Sequence, residues 1–128
     1  MTKAYVAAPY AAGNDEGRYM NTQWAIKIGE ILKLMGHEPV VVHERIYKGE
    51  WGDDNDPEAR AAGMKATMGI LDDVIRSGGS VAVLLRDDCT MSSGMTAEVS
   101  AAVAAGAPVA ARTYNAWCMV GAMLDKRR

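Results

Sequence analysis

Residues 80–98, SVAVLLRDDCTMSSGMTAE, contain the pattern that decides the fold. Residues 81–85 are all apolar, which is typical of a central strand in a parallel sheet that is covered on both faces. The polar stretch after them leads to Ser92 and Ser93, and either hydroxyl can cap a helix predicted to run through Val103. The segment is therefore predicted to form a strand, a loop and a helix.

The rest of the chain repeats this alternation of strands and helices. Strands are predicted at three further apolar runs, namely residues 3–8, 39–43 and 108–111. Helix starts are predicted at capping residues, namely Asn14, Asp56 and either Thr113 or Asn115, whereas residues 44–55 are predicted to form a loop. Parallel neighbours need a crossover connection. The order therefore indicates an α/β fold: a doubly wound, flavodoxin- or Rossmann-like parallel sheet of four to five strands with helices on both faces.

Two of the predicted helices have an apolar stripe at three- and four-residue spacing. We expect both stripes to pack in the core, since amphipathic helices bury one face in this way. Gly36, after the first stripe, suits a left-handed helix end. The first stripe comprises Met20, Trp24, Ile28, Ile31 and Met35, and the second comprises Met64, Met68, Leu71 and Ile75.

Composition narrows the class of protein. The 128 residues match one ordinary domain, and 14 basic against 16 acidic residues create no positive field to hold a nucleic acid. No apolar run reaches the roughly 18 residues of a membrane helix. Cys89 and Cys118 lack metal-ligand spacing and are expected to be small buried hydrophobes in a reducing compartment. We therefore expect a single-domain cytoplasmic protein that binds neither metal, nucleic acid nor membrane.

The loops after Ala8, Val42 and Leu85 form the candidate binding region, because open parallel sheets bind ligands outside the carboxyl ends of their strands. The first of these loops, residues 8–13, has neither the spaced glycines of a dinucleotide site nor the ending of a P-loop. NAD and ATP are therefore disfavoured, and no cofactor is expected. A small anion could still bind the amides at the following helix start.

Glu98, Asp72 and His43 are candidate functional side chains, and each also has a structural explanation. Glu98 lies in the first turns of its helix, where the dipole favours a carboxylate, either as a nucleophile or as a surface residue. Asp72 borders the second apolar stripe, but it could equally pair with Arg76 four residues on. His43 is the last residue of the second predicted strand, and it can either contact a ligand or have a purely structural role.

Four features together carry a resemblance to a known family. They are residues 4–10, AYVAAPY; the predicted strand ending at His43; Asp72 ahead of residues 80–85; and Ser92-Ser93-Gly94 followed by Glu98. With these features the chain resembles the nucleoside 2-deoxyribosyltransferase superfamily, which includes small 2′-deoxynucleoside 5′-phosphate N-hydrolases. The resemblance extends from Tyr5 to about Val109.

The resemblance implies roles for individual residues. Glu98 would be the nucleophile that attacks C1′ of a nucleoside, Asp72 would serve the leaving base, and Ser92 would meet a 5′-phosphate. Further substrate contacts are implied or expected at Tyr5, Pro9, Tyr10, His43 and Gly94. Family members complete each site with a residue from a neighbouring subunit, for which Asn115 is the candidate, so a homodimer or homotetramer is expected. We find no match for the Arg that some nucleotide hydrolases have after the first strand.

Several alternatives remain open at this point. The sugar could pass to water, as in a hydrolase, or to a second base, as in a transferase. A non-catalytic nucleotide-binding or sensor module on the same fold is also possible, because fold does not imply function. A phosphoribohydrolase of the cytokinin-activating kind ranks lower. Its GGxGTxxE pattern places the Glu three residues after Thr, whereas Glu98 follows Thr96 by two.

Overall fold

The structure, a computed structural model, describes residues 2–53 and 55–126. Its strands are β1 (Lys3–Ala7), β2 (Glu38–Val40), β3 (Ser80–Leu85) and β4 (Val109–Thr113). Its helices are α1 (Asp15–Leu34), α2 (His43–Tyr47), α3 (Pro57–Arg76), α4 (Ser93–Ala104) and α5 (Tyr114–Asp125). Within these described ranges, no helix has the length and apolar character needed to cross a membrane.

The four strands form one parallel sheet in the order β2-β1-β3-β4. Successive side chains of a strand point to opposite faces, so β1 and β3 contribute to two separate cores. Ala4 and Val6 pack with residues of α1 and α5 on one face, whereas Tyr5 and Ala7 pack with residues of α3 and α4 on the other. The predicted doubly wound α/β fold is therefore confirmed, with four strands in the described residues.

The predicted helix starts are confirmed, because each capping side chain accepts a hydrogen bond from a backbone amide of the first turn. The capping residues are Asn14, Asp56, Ser92 and Thr113. Gly36 follows α1 with φ of +89°, the left-handed conformation expected of it. Local side-chain chemistry thus marks where these four helices begin, whereas α2, which follows Val42, has no side-chain cap.

The prediction that the second strand runs to His43 is wrong. β2 ends at Val40, and His43 instead begins α2, whose remaining residues 44–47 lie in the stretch predicted to be a loop. Val42 is nevertheless buried against the α3 and α4 side of the sheet. Val40 pairs with Tyr5 of β1, whereas Val42 packs into the core. The apolar run of valines is therefore only partly a strand.

The prediction that the whole stripe of α1 is buried is also wrong, because Met20, Trp24 and Met35 are exposed. A β-carbon on Gly29 would lie 2.9 Å from Cγ2 of Val41, so the helix lies very close to the segment after β2. The close approach at Gly29 thus places this side of α1, rather than the whole predicted stripe, against the rest of the fold. Its buried residues are Thr22, Ala25, Ile28, Gly29, Ile31 and Leu32.

The apolar stripe of α3 divides between two environments. Leu71 is fully buried as predicted, but Met64 is exposed, and the other buried positions are Thr67 and Val74. Of the predicted stripe, only Met64 is turned away from the core, since Met68 and Ile75 are partly buried against it.

Cys89 differs from the sequence-based expectation of a buried thiol. It is exposed in the loop between β3 and α4 and has φ of +65°. Cys118 is partly buried in α5, and both thiols are unpaired. Only Cys118 therefore comes close to the small buried residue that was predicted.

Candidate active site

A cavity of about 240 Å³ opens where β1, β2 and β3 end, with Ala8, Val42 and Arg86 in its wall. From β1 the chain passes to β2 on one side and later to β3 on the other. This is the switch point at which open α/β sheets bind ligands. The volume lies below the roughly 300–1,000 Å³ of pockets for drug-sized molecules, so the cavity suits a small ligand.

The structure brings all of the predicted site residues except Asp72 and Asn115 around this cavity. They come from the loop after β1, the start of α2, the first turns of α4 and the middle of β1. The predicted residues in the wall are Tyr5, Pro9, Tyr10, His43, Ser92, Gly94 and Glu98.

Tyr5 and Glu98 form the central contact of the site. The alternation of β1 directs Tyr5 towards α3 and α4, and the cap at Ser92 starts α4 so that Glu98 faces the same cavity in the second turn. The buried Tyr5 hydroxyl donates a hydrogen bond to Oε2 of Glu98. Burial first, and then the charge of Glu98, raise the pKa of Tyr5, so its hydroxyl remains a donor.

Burial raises the pKa of Glu98 to about 7, although the hydrogen bond from Tyr5 lowers it in part. We expected the helix dipole to favour the ionised form. The dipole effect fades beyond the first turn, however, and Glu98 lies in the second, so desolvation dominates. The site therefore holds a partly buried carboxylate that changes charge near neutral pH, as a nucleophile or a general base can.

Asp72 does not line the cavity. Its Oδ2 lies 3.0 Å from Nε of Arg76, and its side chain is 52% exposed. The ion pair with Arg76 is the structural alternative to a catalytic role that the sequence also predicted. Surface pairs of this kind contribute little to stability. Among the described residues, Glu98 is the only carboxylate in the cavity wall.

Asn115 lies in the first turn of α5 and is exposed. Its helix packs on the face of the sheet opposite to Tyr5, so it does not reach the cavity of its own chain. A role for this residue therefore requires a neighbouring subunit, as the family resemblance implies.

His43 lies at the start of α2 and is 4% exposed. Its Nε2 lies 2.9 Å from the carbonyl oxygen of Ala8, which links α2 to the end of β1. The Tyr10 ring lies 6.1 Å from the imidazole, centroid to centroid. His43 is thus both a structural link and part of the cavity wall.

Arg60 and Arg86 also line the cavity, and sequence reasoning did not identify them. Both are exposed, and neither forms an ion pair within the part of the chain that the structure describes. Arg86 directly follows β3, where the rule of strand carboxyl ends could have found it. Arg60 lies one helical turn before Gly63 and Met64, so extending the apolar stripe of α3 backwards would have indicated it.

The described residues provide no cluster of three or more His, Cys, Asp or Glu side chains that could hold a metal ion. Comparison with known proteins gives no further guide: no family model matches the chain, and neither a curated protein nor a solved structure matches it.

Proposed function

We propose that this protein cleaves the N-glycosidic bond of a nucleoside or a nucleoside 5′-monophosphate through a covalent glycosyl-Glu98 intermediate. The observation that carries the proposal is the Glu98 carboxylate, oriented by Tyr5 and placed in the wall of a small cavity at the switch point of the sheet. The similarity of Tyr5, Ser92 and Glu98 to the residues of nucleoside 2-deoxyribosyltransferases supports the same chemistry.

The proposed reaction begins with Glu98. Tyr5 occupies Oε2, which leaves Oε1 to attack C1′ as the bond to the base breaks. Breaking this bond passes through an oxocarbenium-like state that a flanking carboxylate can trap. Water or a second base then takes the sugar from Glu98, which gives hydrolysis or transfer.

The walls of the cavity support a nucleoside as the ligand. Tyr10, Met64 and Met68 provide aromatic and flexible apolar surface against which a base can lie. Arg60 and Arg86 line the cavity together with Ser92 at the start of α4. Guanidinium groups bind phosphate well, so they favour a 5′-monophosphate over a neutral nucleoside.

We assign no catalytic role to Asp72 in this mechanism. The family resemblance implies that Asp72 assists the departure of the base, but its carboxylate is exposed and paired with Arg76. A departing base would have to take its proton from water or from another group at the cavity. Asp72 therefore serves as the control residue for tests of Glu98.

The proposal is tested by incubating the purified protein with common deoxynucleosides, ribonucleosides and their monophosphates, with and without a free acceptor base. Chromatography should show free base without acceptor for a hydrolase, or a new nucleoside only with acceptor for a transferase. Activity on adenosine monophosphate but not on deoxynucleotides would favour the phosphoribohydrolase alternative. Thermal stabilisation by nucleotides without any product would contradict the proposal and favour a binding module.

We also propose that the chain forms a homodimer or homotetramer through α5. Met119 and Met123 are large apolar residues of this helix that are 66% and 59% exposed, and such surface favours association. Light scattering at micromolar concentration should give a mass of two or four times 13.7 kDa. The double change of Met119 and Met123 to Lys should shift the mass towards one chain, whereas Lys65→Glu on α3, on the other side of the sheet, should not. A monomeric wild-type protein would contradict the proposal.

A further inference from the structure

Thr67 places a buried hydroxyl in the wall of the cavity. The residue lies in the middle of α3, is 8% exposed and lines the cavity together with Tyr5 and Glu98. Its Oγ1 donates a hydrogen bond to the carbonyl oxygen of Met64, which lies 3.1 Å away in the preceding turn. A valine would fill the same space without a polar atom, and a buried hydroxyl is costly unless it is hydrogen-bonded. A hydroxyl at this position, beside Tyr5 and Glu98, therefore needs an explanation.

Thr67 also forms a side-chain hydrogen bond with Tyr5. This bond lowers the pKa of Tyr5, against the larger effects of burial and of the charge of Glu98, which raise it. A hydrogen bond lowers the pKa of a phenol when the phenol oxygen accepts it, because the bond then favours the charged form. Thr67 is therefore a donor to Tyr5, and Tyr5 in turn donates to Oε2 of Glu98. The three side chains form a chain of hydrogen bonds from α3 through β1 to α4.

The direction of this chain of hydrogen bonds depends on the charge of Glu98. A hydroxyl has one proton and two lone pairs, so Thr67 donates either to Met64 or to Tyr5. Beside an ionised Glu98, Tyr5 donates to the carboxylate and its oxygen accepts from Thr67. Beside a protonated Glu98 the order reverses, and the Thr67 proton returns to the carbonyl oxygen of Met64. Each hydroxyl thus keeps a partner in both charge states.

We propose that Thr67 is a positioning residue whose hydroxyl holds that of Tyr5 in the orientation that donates to the Glu98 carboxylate. The inference rests on the proposed function, because it concerns the nucleophile of that reaction. Thr67 acts on Glu98 only through Tyr5, so it is not itself a catalytic residue. Removing its hydroxyl weakens the support for the charged carboxylate and should raise the pKa of Glu98.

Other charged or titratable groups share the cavity wall with Glu98. They come from the loop after β1, from α2, from α3 and from the end of β3, and they are Tyr10, His43, Arg60 and Arg86. Arginine stays charged, and burial keeps His43 neutral by lowering its pKa. Substitutions of Thr67 change none of these groups. A difference in the pKa of Glu98 between such variants therefore reports on the Thr67 side chain.

Two substitutions separate the hydroxyl of Thr67 from its bulk. Thr67→Val removes the hydroxyl and keeps the branched shape, whereas Thr67→Ser keeps the hydroxyl and removes a methyl group. Thr22→Val is the matched control, because Thr22 is also buried in a helix and its Oγ1 donates to the carbonyl oxygen of Arg18, 2.8 Å away. Its helix, α1, packs on the opposite face of the sheet. Thr67→Ala also lacks the hydroxyl and takes the place of Thr67→Val if that variant does not fold.

The experiment titrates the side-chain carboxyl group of Glu98 by ¹³C NMR, with its resonance assigned by its absence from Glu98→Gln. We expect the midpoint to move up by about 0.5 to 1 pH unit in Thr67→Val, the size of one hydrogen bond. It should stay near the wild-type value in Thr67→Ser and Thr22→Val. In a Tyr5→Phe background, Thr67→Val should cause no further change, because its effect passes through the Tyr5 hydroxyl.

The rate of cleavage should follow the same titration. The pKa of Glu98 is about 7 in the wild-type protein, so only a small fraction of the molecules has the charged nucleophile at pH 6. At that pH, kcat/KM of Thr67→Val should be about three- to tenfold below wild type. At about pH 9 the two proteins should have similar values, because Glu98 is ionised in both. A merely structural role would lower the rate at both pH values.

Three outcomes would overturn the inference: an unchanged midpoint in folded Thr67→Val or Thr67→Ala, an equal change in Thr67→Ser, or an added change in the Tyr5→Phe background. Failure of the inference is distinguishable from failure of the proposed function. A midpoint that depends on Thr67 without any turnover by the wild-type protein would contradict only the glycosidic chemistry. Turnover with an unchanged midpoint would contradict only the role of Thr67.

Discussion

Under the proposed function, we expect the replacement of Glu98 with Gln to lower the rate of glycosidic cleavage by about a thousandfold or more, the size expected when a nucleophile is removed. Gln has nearly the same shape and can still accept the hydrogen bond from Tyr5, but its amide oxygen is a far weaker nucleophile. The substitution should therefore leave the fold and ligand binding largely intact. Single-turnover kinetics with the best substrate of the panel measure the loss, and calorimetry measures binding.

Asp72→Asn is the matched control for this prediction. It also removes one negative charge, but from a side chain exposed on α3 and paired with Arg76. We expect its rate to remain within about twofold of wild type, since surface pairs contribute little. If Asp72→Asn were as damaging as Glu98→Gln, the leaving-group role implied by the family resemblance would hold, and our assignment of Asp72 would be wrong.

Glu98→Gln should also make the protein more stable above neutral pH. The pKa of Glu98 is about 7 in the folded chain, against 4.5 for an ordinary Glu. Between these values the folded state binds more protons than the unfolded state, so the free energy of unfolding falls as pH rises through this window. Gln cannot ionise, so the variant avoids the loss of stability that comes from burying a charged carboxylate. The variant should gain up to about 3 kcal/mol at pH 8 and nothing below about pH 4.5.

Urea denaturation of both proteins at pH 5 and pH 8 measures this effect. The informative quantity is the change in the stability difference between variant and wild type, because other carboxyl groups titrate equally in both. Asp72→Asn again serves as control and should show no comparable change between the two pH values. A stability difference that is the same at pH 5 and pH 8 would mean that Glu98 has an ordinary, solvated carboxylate.

The fold could be predicted from the sequence because its signals are local. The apolar run before Arg86 predicted the central strand β3, and the caps at Asn14, Asp56 and Ser92 predicted where helices begin. The place of Glu98 in the cavity also follows from such signals, since a capped helix after a central strand puts its first turns at the carboxyl edge of the sheet.

The position of Asp72 could not be predicted because the apolar stripe of α3 does not reveal the helix's orientation. Met64 and Met68 line the cavity, whereas Leu71 is in the core, and one periodic pattern describes both environments. Successive residues of a helix point about 100° apart, so a small error in the assumed orientation moves a neighbour from the cavity to solvent. Asp72 directly follows Leu71 and lies on the exposed side.

The same ambiguity affected the end of the second strand. Three valines in a row are apolar whether they pair in a sheet or enclose a core, and only the tertiary structure distinguishes the two. The chain turns into α2 after Val42, which places His43 in the cavity wall. The sequence identified the residue but not the backbone that positions it.

The proposed reaction centre and the surfaces expected to contact the ligand belong to parts of the fold that differ in rigidity. Tyr5 belongs to a strand that pairs on both sides, and Glu98 to a helix packed on that sheet, so their separation is set by the most cooperative part of the molecule. Tyr10 and Arg86 lie just beyond strand ends, where substitutions cost the fold little. A fold of this kind can change the ligand that it accepts by altering its loops, while the pairing of Tyr5 with Glu98 stays the same.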